Sequence, residues 1–137
     1  MTSERETTLL VVDDEAANLE SLEKIFQKEG FRVLTATGGR EALDLCRTHR
    51  VHVVLSDLMM PGMSGMELFA EIKRDYPDQA LRMGFINGGI YTDDAQRFVD
   101  ERPDRLLFKP FGPRELRRFV DEVAFQGEEL SDTVEEP

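Results

Sequence analysis

Asp13, Asp14, Asp57, Asn87 and Lys109 are the residues of this 137-residue chain whose types, taken together, could do chemistry. Three carboxylates gathered at one place oppose one another's ionisation unless a cation stands between them. A hard divalent ion with oxygen ligands relieves that repulsion, and Mg2+ is the usual choice when phosphate oxygens complete the shell. Lys109 adds a fixed positive charge able to grip a phosphoryl oxygen, and the Asn87 amide can donate a hydrogen bond. The set reads as a metal and phosphate site. A carboxylate attacking phosphorus there would give an aspartyl phosphate, a step that depends mostly on positioning and charge neutralisation.

Each of these residues lies at or just past the end of a short apolar run: LLVV at 9–12, VHVVLS at 51–56, MGFI at 83–86 and LLF at 106–108. In an open parallel sheet, ligands bind outside the carboxyl ends of the strands where the strand order reverses. Between the runs lie segments of helical period. Leu19, Leu22, Ile25 and Phe26 share one face, and Gly30 supplies a stop. Ala42, Leu43 and Cys46 mark a second helix, ending near His49. Ser64 and Glu67 form a capping box ahead of Leu68, Phe69 and Ile72, and that helix halts before Pro77. Thr92 caps a helix carrying Ala95, Phe98 and Val99 inward. Pro113 suits the first position of a last helix with a stripe of Leu116, Phe119, Val120, Val123 and Ala124.

Strands at 8–12, 31–35, 51–55, 81–86 and 106–108, alternating with helices, predict an α/β fold. It is a (βα)5 doubly wound five-stranded parallel sheet, order 2-1-3-4-5, with its crevice between strands one and three. The polar second strand belongs at an edge, and the apolar third at the centre.

A chain of this length makes one domain, expected at 8–126, after a disordered N-terminus at 1–7. Residues 127–137 contain Glu128, Glu129, Asp132, Glu135 and Glu136 and no basic residue, the composition of an acidic tail or linker. The net charge of −11 argues against nucleic-acid binding by this domain. No apolar run reaches the roughly 18 residues of a membrane span. One cysteine, Cys46, forms no internal disulfide, which fits a cytoplasmic location; its spacing makes it a small core residue rather than a nucleophile.

Plainer readings exist for each residue alone. Asp13 and Asp14 could simply cap the first helix, and Lys109 could be a solvated lysine. His49 and His52 read as surface residues, and Arg114, Arg117 and Arg118 as the solvated face of the last helix. Met59, Met60, Met63 and Met66 read as loop packing or as an adaptable docking surface. A small hydrolase with an aspartate nucleophile would need a cap insertion or substrate pocket that the chain lacks. A flavin carrier would need a phosphate-binding loop where the two acids stand.

VVDDE at 11–15, SDLMMPGMSG at 56–65 and FKPF at 108–111, at these separations, resemble the receiver domain of two-component response regulators. The resemblance runs from about Thr8 to Phe125 and implies a flavodoxin-like receiver fold. It implies that Asp57 is the phosphoacceptor, that Asp14 and Asp57 bind Mg2+ directly, and that Asp13 helps through water. It further implies the Met59 carbonyl as a metal ligand, Lys109 on the phosphoryl group, and a Lys109–Pro110 bond that is often cis. Such a domain is a phosphoacceptor that assists its own phosphorylation and dephosphorylation rather than an enzyme. Its partners would be a histidine kinase or phosphotransfer protein and an output domain or downstream protein. A homodimer could form through the face made by the helix after strand four, strand five and the last helix.

Two positions depart from the family pattern. Asn87 stands where receivers carry Thr or Ser, and Leu106 where they often carry Tyr or Phe. The phosphorylation chemistry is retained on this reading, while the switch is altered. The rival is a degenerate receiver that works as a protein-interaction module without phosphorylation.

Overall fold

The computed structural model describes residues 7–89 and 92–135. The expected disorder at the N-terminus falls on residues 1–6, outside the described residues, and on Thr7, whose carbonyl accepts from the Arg32 N–H at 2.9 Å. Five strands form one parallel sheet in the order β2-β1-β3-β4-β5: β1 (Thr8–Val12), β2 (Arg32–Ala36), β3 (Val53–Asp57), β4 (Met83–Asn87) and β5 (Leu106–Phe108). Between them lie α1 (Ala16–Lys28), α2 (Gly39–Thr48), α3 (Gly65–Asp75), the one-turn α4 (Pro77–Ala80), α5 (Asp93–Asp100) and α6 (Pro113–Glu135).

The apolar runs bury both faces by simple alternation. Leu9, Val11, Val53, Leu55 and Ile86 point into one core with α1 and α6, whose Phe26, Leu116, Phe119 and Val123 fill it. Leu10, Val12, Val54, Met83 and Phe85 point into the other, with Leu68, Phe69 and Ile72 of α3. This is the two-faced burial that makes a central parallel strand read as a continuous apolar run. In the second core the rings of Phe69, Phe85 and Phe98 meet edge to face, with centroids 5.0 to 5.8 Å apart. The Arg102 guanidinium lies over Phe98 at 4.1 Å.

Local signals act where the sequence puts them. Gly30 ends α1 with φ +96°, a conformation that suits glycine. Ser64 and Glu67 make both bonds of the capping box at the start of α3, and the Ala95 N–H donates to the Thr92 hydroxyl at 3.0 Å.

The structure also departs from expectation. Pro77 does not only stop α3; it opens α4, because a proline is preorganised for the first helical position. That turn delays β4 to Met83. β3 begins at Val53 rather than 51, since its pairing with β1 starts at Leu9↔Val53. His52 is not a free surface residue. Its Nδ1 accepts the Thr8 N–H at 3.0 Å, and its carbonyl accepts from Arg82 Nε at 2.8 Å, so it pins the entry of β1. That bond requires neutral imidazole, and burial, with Arg50 and Arg82 nearby, lowers its pKa below 6.5. Arg117 is likewise engaged, bonding Glu29 at 2.7 Å and lying over Phe31 at 5.0 Å. α6 runs on past residue 126 to Glu135. Glu is a good helix former, and no proline intervenes before Pro137.

Candidate functional site

All the residues singled out by their chemistry meet at the carboxyl edge of the sheet. Asp13 and Asp14 follow β1, Asp57 ends β3, Asn87 ends β4 and Lys109 follows β5. Because β1 and β3 are neighbours, acids separated by more than forty positions in sequence become adjacent. One carboxylate oxygen from each of Asp13, Asp14 and Asp57 lies within 4.8 Å of the others.

The three acids differ in setting. Asp13 is 3% exposed. Its Oδ1 accepts the Glu15 N–H at 2.9 Å and its Oδ2 accepts from Asn18 Nδ2 at 3.3 Å. These bonds tie Asp13 to the chain entering α1, but neither Asp13 nor Asp14 caps the helix: its N-cap is Glu15, which has no side-chain cap bond. Asp14 is exposed. Asp57 is half-buried, with the Met59 N–H 3.4 Å from its Oδ1. Burial, then the charge of Asp13, pushes the Asp57 carboxyl up to about 6; Lys109 and the Met59 N–H pull it down, and Asp14 adds a smaller push upward.

The loop after β3 is held against the site by a close approach. The Gly65 N–H donates to the Leu58 carbonyl at 2.9 Å. A Cβ on Gly65 would lie 2.5 Å from the Asp57 carbonyl oxygen and 3.0 Å from Leu58 Cα, so only glycine lets α3 start there. Gly65 carries one signal in the sequence, its place one residue after the helix cap at Ser64. Met60 is buried, and Met59, Met63 and Met66 pack against the same core, which favours the loop-packing reading.

Asn87 is 1% exposed. The Gly89 N–H donates to its Oδ1 at 3.1 Å, while Nδ2 is buried without a hydrogen-bond partner among the described residues. A buried donor left unpaired costs about 1–3 kcal/mol. Lys109 is exposed, and its backbone N–H donates to the Asn87 carbonyl at 3.0 Å. The Lys109–Pro110 bond is cis. Leu106 is buried in the core with Phe85, whereas Phe108, two residues on, is 52% exposed. Cys46 is partly buried, and burial raises its thiol to about 11, which leaves it inert at neutral pH.

The donor set fits a hard dication. It offers oxygens only, and burial first, then the charge of Asp13, raises the pKa of Asp57. Facing it stands one exposed ammonium, with an amide NH2 on the strand between. Such an arrangement can neutralise a phosphoryl group while leaving one carboxylate oxygen to attack it.

A family model for the response regulator receiver domain matches residues 9–121. The sensor histidine kinase AruS of Pseudomonas aeruginosa is 35% identical over 117 residues, covering 84% of this chain and 12% of that protein. The response regulator Rre1 of Synechocystis is 32% identical over 126 residues, 91% of this chain and 54% of that protein. The chain thus spans only part of the length of these relatives. Among solved structures, the response regulator TrrA of Thermotoga maritima, in complex with Mg(2+)-BeF, superposes with a TM-score of 0.69 at 31% identity over 85% of this chain and 98% of that one. A CheY-like receiver domain protein from Methanospirillum hungatei gives a TM-score of 0.78 at 26% identity over 90% and 98%.

Proposed function

This chain belongs to the response regulator receiver family, and from that premise we propose that it accepts a phosphoryl group from a phosphohistidine donor onto Asp57. A carboxylate oxygen of Asp57 forms the new bond to phosphorus as the bond from phosphorus to the donor's imidazole nitrogen breaks. Asp14, Asp57 and the Met59 carbonyl would hold Mg2+, with Asp13, both of whose oxygens already accept hydrogen bonds, assisting through water. When bound, the ion neutralises the acids and the charge on the phosphoryl oxygens. Lys109 grips one of those oxygens, and Asn87 Nδ2 donates to another. The donor is a histidine kinase or phosphotransfer protein. The recipient of the signal is an output domain or downstream protein, and the setting is cytoplasmic.

The observation that carries this reading is the convergence of three carboxylates within 4.8 Å, one of them raised to about 6, beside a lysine. An intact acid cluster favours it over a phosphorylation-independent interaction module, for which Asn87 and Leu106 speak. The test is incubation with acetyl phosphate and Mg2+, followed by intact mass. The expected result is one added phosphoryl group on the wild type and none on Asp57→Asn. An unmodified wild type would leave the interaction module as the better account.

A further inference from the structure

α6 turns a buried stripe inward, Leu116, Phe119, Val120 and Val123, and an exposed row outward, Arg114, Arg118, Asp121 and Phe125. The outward residues follow one another at intervals of four, three and four, the spacing of a coiled-coil seam. Phe125 is 62% exposed, more than any other large hydrophobic among the described residues. Arg114 and Arg118 make no ion pair among the described residues. Asp121 engages Arg117 at 3.3 Å through Oδ2, which leaves Oδ1 open. With Glu29 of α1, these residues border one open groove.

Read in the reverse direction, the row is its own complement. Its midpoint lies between Arg118 and Asp121, with Arg114 and Phe125 four residues further out on either side. One two-fold axis therefore sets cation against anion and guanidinium against ring in the same register. We propose that two copies of this chain associate through antiparallel α6 helices. Arg118 of each copy pairs with Asp121 of the other, and Arg114 of each lies over Phe125 of the other. Exposed ion pairs are individually weak, and a polar residue in a seam fixes register at a cost in stability. The association is accordingly weak and register-specific, with a dissociation constant on the order of 100 µM. The face uses neither β5 nor α5, so it differs from the homodimer that the resemblance implies. It does not depend on phosphorylation at Asp57.

The test is sedimentation equilibrium of the full, unphosphorylated chain from about 10 µM to about 1 mM, which brackets that constant. The wild type should pass from the mass of one chain towards that of two. Arg118→Asp opposes two carboxylates across the axis, and Asp121→Arg opposes two guanidiniums. Each alone should weaken association at least about tenfold. Mixed together, the two variants supply both opposite-charge pairs, and the mixture should regain the wild-type constant. Phe125→Ala should weaken it about tenfold by removing two cation–π contacts. All three positions are exposed, and an unchanged helical spectrum checks the fold. Should Asp121→Arg fail to fold, Arg118→Asp and Phe125→Ala carry the test. A wild type that stays monomeric throughout leaves the row to solvent or to another protein's helix and overturns the pairing. Single variants that associate like the wild type would mean that copies meet through another face, and a mixture that stays monomeric would refute the register.

Discussion

Asp57 is pulled by opposing forces, and the balance has a pH signature. Its carboxyl titrates at about 6 in the folded protein against 3.8 ordinarily. Between those values the folded, metal-free protein keeps a proton that the unfolded chain has lost, so the contribution of this group to stability falls as pH rises through that window. Asp57→Asn removes the titration. Without divalent ions, the melting temperature of the variant should exceed that of the parent by a margin that grows from about pH 4 to about pH 6 and is level above. Discounted for half exposure, the margin is on the order of 1 kcal/mol at neutral pH. A constant margin across the range would contradict this account. Met59 bears on a second outcome, because its side chain packs against the core and offers no polar group to orient a water. The phosphorylated state in Mg2+ buffer should therefore outlast minutes when followed by intact mass; loss within seconds would refute that.

At the scale of elements, β1, β3, β4 and β5 end in the groups of the site, and the joints matter more than the interiors. The joint between β3 and α3 has the least room against backbone among the described glycines. Gly65→Ala would drive a methyl to 2.5 Å from the Asp57 carbonyl oxygen, a clash with backbone that cannot rotate away. The expected cost is about 1–3 kcal/mol by chemical denaturation, together with weaker Mg2+ binding, since the Asp57 and Met59 backbone must shift. An unchanged denaturation midpoint would count against it. Much of this layer was legible in the residues. The capping box at Ser64, the cap at Thr92, the stop at Gly30 and the proline opening α6 are local devices, and local devices are written locally. What was not legible depends on partners distant in sequence. The bond from Thr8 to His52 joins residues 44 apart, and the tie from Arg117 to Glu29 joins residues 88 apart. No window on the chain contains either pair. The one-turn α4 is illegible for a different reason: Pro77 carries the signal of a helix stop and also serves as a first helical residue.

For the whole molecule, the order of the strands is what makes a site at all. Four apolar runs, a more polar second strand and the helices between them carried the fold class and strand order, because burial of a doubly covered sheet leaves little freedom in pattern. The candidate acids and lysine were legible for the same reason, each standing at the end of a run. Since the candidate ligands come from separate strands, an unfolded chain presents no assembled site, and Mg2+ should bind the native state alone. At an ion concentration about a hundred times its dissociation constant, the folded protein should gain about 2.7 kcal/mol, seen as a rise in melting temperature that a chelator reverses. Asp57→Asn should lose most of that gain. An equal rise in the variant would mean that the ion acts elsewhere.

Lys109 hangs from β5, which has three residues and forms the outermost edge of the sheet beside β4. Asp13 and Asp14 follow β1 and Asp57 ends β3, both interior strands. Fraying begins at edges, so a brief opening of this corner would carry away the counter-charge and leave the acids where they are. In that moment the pocket becomes a stronger trap for dications and a poorer one for phosphate, so the same short strand would govern which kind of ion the crevice retains.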